Sequence, residues 1–188
     1  MAAFIRGHML QFTGRFIRED PLLCERVPPD VLERVRRYDL SVKPHEWRPR
    51  EELTSLWDAI ARAAEPATEK AAYEALVRCG SRIGDYAATT FLKLLLRVMT
   101  PRMFASKFPD FYKRDHQGGE GIVEEIDARR VVLLARGVEG YDHFGPITVG
   151  WSAVSFTGMG LKNATMTCTP WSLTEPGPRE VRFVATWE

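Results

Sequence analysis

Hydrophobic and polar positions recur with helical spacing over the first two thirds of the chain. Residues 7–18 place Met9, Phe12, Phe16 and Ile17 on one side, which predicts a short helix. Proline, aspartate and threonine then divide the region into further helices. The predicted boundaries are Asp20-Pro21, Pro28-Pro29 with Asp30, the acidic first turn at Glu51-Glu52, and Pro66 with Thr68.

The segment 83–99 is the most hydrophobic part of the chain. Its apolar residues cover nearly the whole circumference of a helix, and a helix of that kind is usually enclosed on all sides. The sequence therefore predicts that this segment is the central core helix.

The pattern changes after Gly118-Gly119, where β-branched and aliphatic residues form short runs. Two runs separated by a polar tetrapeptide predict a β-hairpin, and two later segments alternate between apolar and polar residues as half-buried strands do. The four predicted strands cover residues 122–126, 131–134, 164–169 and 181–187.

These elements predict an α+β fold, in which an N-terminal helical layer packs on a C-terminal antiparallel sheet of about four strands. Residues 145–160 lie between the hairpin and the last two strands, and their composition fits a helix or a strand. The length of 188 residues favours a single domain over 1–188, with a helical part at 1–117 and a sheet part at 118–188.

Composition excludes several function classes. The net charge of +1 lacks the basic excess that nucleic-acid binding requires. No stretch is apolar and long enough to span a membrane, and the first residues do not resemble a signal peptide. Cys24, Cys79 and Cys168 have no spacing typical of a disulfide framework. We therefore expect a cytoplasmic protein.

The sequence offers no convincing catalytic or metal-binding constellation. Ser152 lies in a pentapeptide that resembles a nucleophile elbow, but the final glycine of that pattern is missing. The pairs Asp115-His116 and Asp142-His143 combine ligand types that suit zinc or iron, yet no further spacing supports a site. We predict no catalytic residue, no metal site and no cofactor.

Several segments of the chain together carry a family resemblance. They are Gly7 with the following helix, Trp47-Arg48-Pro49 before Leu56-Trp57, and residues 80–90, 95–101, 145–160 and 183–187. In these segments the chain resembles an uncharacterised family of paralogous proteins in myxobacteria. That family is similar, at a distance, to haem nitric-oxide-binding domains, to 4-vinyl-reductase-type sensor domains and to TRAPP vesicle-tethering subunits. The resemblance implies an apolar space between helices and sheet, and it implies a helix at 145–160.

The chemistry of these relatives is not expected here. Haem-binding members have a helical proximal histidine and a Tyr-x-Ser-x-Arg pattern. No tyrosine of this chain begins that pattern, and no histidine lies between His45 and His116, so we expect no haem. The cysteines of a sensor-type zinc site are also missing. Cys79 is the one candidate for the acylated cysteine that TRAPP subunits can carry.

The resemblance favours a non-enzymatic sensor or adaptor that binds an apolar small molecule between helices and sheet. The predicted ligand-binding residues are Cys79, Phe91, Leu95, Trp151 and Met159. The alternative is a homodimeric protein-interaction module with a dry core, whose predicted interface residues are Phe104, Phe108, Phe111 and Tyr112. An enzyme is the third possibility, and it would require the two Asp-His pairs to converge in one cleft.

Overall fold

The computed structural model of the chain describes residues 3–88, 90–175 and 177–188, with side chains for all of these except residues 90–93. The described helices are α1 (Gly7–Glu19), α2 (Pro21–Arg26), α3 (Pro29–Ser41), α4 (Arg50–Arg62), α5 (Glu69–Ala87), α6 (Thr90–Val98), α7 (Pro101–Ser106), α8 (Phe108–Asp115) and α9 (Phe144–Gly158). The described strands are β1 (Phe4–Arg6), β2 (Trp47–Pro49), β3 (His116–Gln117), β4 (Glu120–Ile126), β5 (Arg130–Arg136), β6 (Thr165–Cys168) and β7 (Glu180–Thr186).

Local capping chemistry sets the starts of the N-terminal helices. The Asp20 carboxylate accepts hydrogen bonds from the backbone N–H groups of Leu22 and Leu23, both at 3.1 Å, and Pro21 follows as the first residue of α2. The Thr68 hydroxyl caps α5 in the same way by accepting from the Ala71 N–H. These two starts confirm the predictions for Asp20 and Thr68. The prediction that Asp30 caps the next helix is wrong, because α3 begins at Pro29 and Asp30 lies within its first turn.

The C-terminal third forms an antiparallel sheet with the strand order β4-β5-β7-β6. β4 and β5 form a hairpin, α9 follows, and β6 and β7 complete the sheet. On β7, Val181, Phe183 and Ala185 are buried, as the alternating pattern predicts. The predicted α+β class and the order of hairpin, helix and two strands are confirmed.

A second sheet was not predicted. It has the order β2-β1-β3, and its register pairs Ile5 with Arg48 on one side and with His116 on the other. Strands of two or three residues are too short to show an alternating pattern. This sheet joins the N-terminus to the end of α8, and it thereby fixes the position of His116.

The centre of the helical layer is the crossing of α5 and α9. A Cβ atom at Gly80 would lie 2.0 Å from the Ile147 carbonyl oxygen, and one at Gly150 would lie 1.9 Å from the Val77 carbonyl oxygen. The two backbones therefore touch at positions where only glycine fits. α9 is apolar around most of its circumference, and most of its residues are buried.

The prediction that segment 83–99 is one central helix is wrong. α5 ends at Ala87 and α6 is a separate helix on the outside of the layer. Leu94 is 56% exposed and Val98 is 73% exposed, whereas Leu96 is buried. Apolar composition did not decide burial here, because α6 contacts α9 through one face, where Leu96 packs against Gly158.

Among the described helices, none combines the length and the apolar character that crossing a membrane requires.

Candidate functional site

A cavity of about 80 Å³ lies where α1, α4, α5, α8 and α9 meet the small sheet. Protein interiors are close-packed and contain few voids larger than a water molecule, so a space of this size is notable. The residues that line it are mostly apolar or aromatic: Met9, Trp57, Ile83, Phe108, Phe111, Tyr112, Asp115, His116, Phe144, Ile147, Thr148 and Trp151.

Two helix faces supply most of this lining. α8 contributes residues 108, 111, 112 and 115, and α9 contributes residues 144, 147, 148 and 151. Both sets follow the spacing i, i+3, i+4 and i+7, which places their side chains on one side of a helix. This spacing was the signal in the sequence that could have located the cavity.

Polar groups gather at the end of the cavity where α8 meets β3. The Tyr112 hydroxyl donates a hydrogen bond to the Gly118 carbonyl oxygen at 3.2 Å. The Asp115 carboxylate forms an ion pair with Arg114 at 2.6 Å, and Nε2 of His8 lies 3.5 Å from it. Burial lowers the pKa of His8, so Arg114 is the cationic partner of the carboxylate and His8 contributes an imidazole contact. The hydrogen bond to Gly118 satisfies the Tyr112 hydroxyl.

The His116 imidazole is held among aromatic rings. Its ring centroid lies 4.8 Å from that of Tyr112 and 5.7 Å from that of Phe144. The Tyr141 hydroxyl oxygen lies 3.5 Å from Nδ1 of His116. The pKa of His116 is lowered to about 4, chiefly by burial; the Asp115 carboxylate opposes this shift and the Arg50 cation adds to it. The imidazole is therefore neutral at pH 7.

Arg50 supplies a buried positive charge behind this histidine. The residue is 4% exposed, and its guanidinium carbon lies 4.8 Å from the centroid of the Tyr141 ring. One of its terminal nitrogens donates to the Gly118 carbonyl oxygen at 3.2 Å, while its Nε has no hydrogen-bond partner within the described part of the chain.

The structure brings one of the predicted ligand-binding residues to this cavity, namely Trp151. Cys79 is completely buried within α5 and is not part of the lining, and burial raises the pKa of its thiol. Leu95 is partly exposed on α6, and Met159 packs against a separate apolar cluster around Leu96 and Phe156. Phe91 lies outside the residues whose side chains are described.

The residues predicted to form an exposed interface lie inward instead. Phe104, Phe108 and Tyr112 are buried, which corrects the expectation that they lie on an exposed surface. Phe104 packs against Trp151, and Phe108, Phe111 and Tyr112 line the cavity. The aromatic residues on α7 and α8 face the core because the sheet lies on that side of both helices.

The two Asp-His pairs have different surroundings. Asp115 and His116 line the cavity, whereas the Asp142 carboxylate accepts a hydrogen bond from the Gly177 N–H at 2.7 Å. His143 accepts from the Trp171 indole N–H at 3.2 Å. Within residues 3–88, 90–175 and 177–188, no group of three or more candidate ligand side chains is close enough to hold a metal ion.

Ser152 also has no catalytic neighbourhood. It is buried in the middle of α9, on a regular helix and not on a strained turn. The convergence that an enzyme would require is not observed in the described part of the chain.

Comparison with known proteins relates the chain by fold. No protein-family model and no curated protein matches the sequence. Among solved structures, an Fe(II) unliganded H-NOX protein from K. algicida has a TM-score of 0.67 at 14% identity, over 98% of this chain and 97% of that one. A double mutant of the Tt H-NOX gives a TM-score of 0.65 at 10% identity, over 98% and 95% of the two chains.

A third structure comes from work on haem redox potential and porphyrin distortion, and it has a TM-score of 0.62 at 10% identity, over 97% of this chain and 99% of that one. The comparisons give no support to the narrower resemblance to a myxobacterial family. At these identities the likeness concerns the fold alone. The chain therefore has an H-NOX-like α+β fold along nearly its whole length.

Proposed function

We propose that this chain is a non-enzymatic sensor or adaptor domain that binds a small apolar molecule in the cavity between α8 and α9. The observation that carries the proposal is the apolar space itself, lined by one face of each helix. A ligand there would contact both helices at once. Because it would bind the folded state alone, it would stabilise that packing.

The volume limits the size of the ligand. A water molecule occupies about 30 Å³ in the liquid, and an engineered apolar cavity of about 150 Å³ accepts benzene or xenon. The space of about 80 Å³ is therefore suited to a molecule of a few heavy atoms. A lipid chain would require the side chains to move apart.

The description of one structure with the same fold refers to haem. We therefore consider whether haem would fit this cavity. An iron ligand of suitable type is present, since Met9, Tyr112 and His116 all line the space. The volume is not suitable, because pockets for larger ligands begin at about 300 Å³. The side chains of Trp57, Phe144 and Trp151 border the space that a porphyrin would need. The residues therefore do not fit haem in this arrangement, and the proposed ligand is smaller.

Xenon tests the proposal, because it is apolar, small and needs no polar contact. We expect xenon to bind to the wild-type protein and to shift the NMR resonances of cavity methyl groups such as those of Ile83 and Ile147. The Ile83→Phe variant fills the space and should weaken binding at least fivefold. Ile60→Val is the matched control, because Ile60 is buried in α4 but is not part of the lining. Equal xenon binding by both variants would contradict the assignment.

A homodimeric protein-interaction module is the second candidate function. It is favoured by the exposed apolar side chains on α6 and α7, where Leu94, Val98 and Met103 are all more than half exposed. None of these three side chains lines the cavity.

A further inference from the structure

The Tyr141 hydroxyl contacts one ring nitrogen of His116, and the direction of that hydrogen bond decides which nitrogen carries the proton. Tyr141 is 1% exposed, and burial raises the pKa of its hydroxyl well above the ordinary value, so the group remains a donor. Its one partner within the described residues is Nδ1 of His116. A buried hydroxyl donor without an acceptor is costly. The Tyr141 O–H therefore donates to Nδ1.

A neutral imidazole carries one N–H group, so acceptance at Nδ1 places the proton on Nε2. Four other charged or titratable groups act on the ring, namely Asp115, Arg50, His8 and Arg114. The Asp115 carboxylate is already in contact with Arg114 and His8, and Arg50 opposes a second proton on the ring. Nε2–H makes no hydrogen bond to the described residues, so it is a donor without an internal partner.

We propose that His116 is the specificity residue of the cavity and that its Nε2–H donates to an acceptor atom of the ligand. The ligand class is a compact apolar molecule with one hydrogen-bond acceptor, such as a short ketone, aldehyde or ether. The apolar body would contact Trp57, Ile147 and Trp151, which lie on the other walls. This inference rests on the proposed function and adds the chemistry that would select the ligand.

Acetone and 2-methylpropene form a suitable pair of probes, because they have the same shape and differ in having a carbonyl oxygen or a methylene group. A net neutral hydrogen bond is equivalent to roughly a two- to tenfold change in affinity. We expect His116→Leu to lower the acetone affinity, relative to that for 2-methylpropene, by this factor. The affinity for 2-methylpropene should stay within about twofold.

Ser152→Ala is the matched control, since Ser152 carries a buried hydroxyl group on α9 but does not line the cavity. It should leave the ratio of the two affinities unchanged. A ratio that is unchanged in His116→Leu, or one that falls in Ser152→Ala alone, would overturn the inference while the proposed function stands. Failure of xenon and of both probes to bind to the wild-type protein would overturn the proposed function as well.

A second measurement does not depend on the His116→Leu variant folding. Nitrogen-15 chemical shifts of the wild-type imidazole should show a protonated Nε2 and an unprotonated Nδ1. Acetone should shift the Nε2 resonance, whereas 2-methylpropene should not. In Tyr141→Phe, which removes the donor to Nδ1, the population of the other tautomer should increase. A wild-type ring protonated at Nδ1 would show the inference to be wrong.

Discussion

Arg50 and His116 form an uncommon arrangement at the scale of single residues. Arg50 is buried and makes no ion pair with the described residues, so its charge is balanced by the Gly118 carbonyl oxygen and the face of Tyr141. A second positive charge on the adjacent His116 would therefore be poorly tolerated. The cavity keeps its neutral imidazole because burial and this cation act in the same direction.

The pH dependence of stability follows from this arrangement. The pKa of His116 falls from 6.5 to about 4 on folding, so the unfolded chain binds the proton at a higher pH than the folded chain does. The free energy of unfolding should be level above pH 7 and should decrease from pH 6.5 towards pH 4. His116 would account for a decrease of up to about 3 kcal/mol, and the lowered pKa values of His8 and His143 act in the same direction.

Urea unfolding between pH 8 and pH 4.5 measures this dependence. Above pH 4.5 the carboxyl groups of Glu19, Glu46 and Glu69 contribute little, because the fold lowers their pKa values from 4.5. The control is His116→Leu, whose stability should decrease less steeply over the same range. Stability that rises as the pH falls from 6.5 would contradict the burial of a neutral imidazole.

The environment of His116 could not be predicted from its neighbours in sequence. Asp115-His116 looks like a polar pair in a loop, yet the imidazole of His116 packs against aromatic rings because β1 pairs with it from the other end of the chain. A three-residue strand carries no pattern that predicts such a pairing. The burial of Arg50 could not be predicted either, since charged residues at the start of a helix are usually exposed.

At the scale of elements, the close crossing of α5 and α9 is what fixes the position of α9. Backbone atoms of the two helices are in contact at Gly80 and Gly150, so neither helix has a side chain that could move aside. This contact fixes α9, whose face forms one wall of the cavity.

Gly80→Ala should therefore destabilise the protein strongly, although alanine favours a helix. The added methyl group would lie 2.0 Å from the Ile147 carbonyl oxygen, and the two backbones would have to separate. We expect a loss of at least about 2 kcal/mol in the free energy of unfolding. Lys70→Ala, at an exposed position of the same helix, should change it by less than about 0.5 kcal/mol. A similar small change for Gly80→Ala would show that the helices do not touch there.

The roles of α6 and α9 show why helix burial was difficult to predict. Both are strongly apolar in sequence, and composition alone favoured segment 83–99 as the core element. α9 is the buried helix because the sheet, α5 and α6 all contact it, whereas α6 contacts α9 along one face. The number of elements that pack against a helix is set by the tertiary fold. It cannot be read from the sequence pattern of that helix.

At the scale of the whole molecule, the exposed apolar face of α6 and α7 bears on whether the protein forms a dimer. The second candidate function predicts a homodimer in sedimentation experiments at high protein concentration. Val98→Glu should weaken it at least tenfold, because Val98 is 73% exposed on this face. Leu40→Glu is the control, since Leu40 is exposed on α3. A wild-type protein that remains monomeric would contradict this candidate.

The overall fold was the most predictable property of the chain. The first helices, the hairpin and the last two strands are visible in the periodicity, whereas the helix at 145–160 followed from the family resemblance. The structure confirms the order of these elements. The cavity was less predictable, because it arises from the mutual placement of α8 and α9. The sequence showed an aromatic cluster at residues 104–112, but not whether it pointed outward or inward.

The central claim is that the space between α8 and α9 is a binding site for a small apolar molecule. A crystal structure determined under xenon pressure tests it most directly. We predict one strong xenon peak in the cavity, in contact with Trp57, Ile147 and Trp151. A cavity without xenon, in crystals whose side chains are otherwise arranged as described, would contradict the claim.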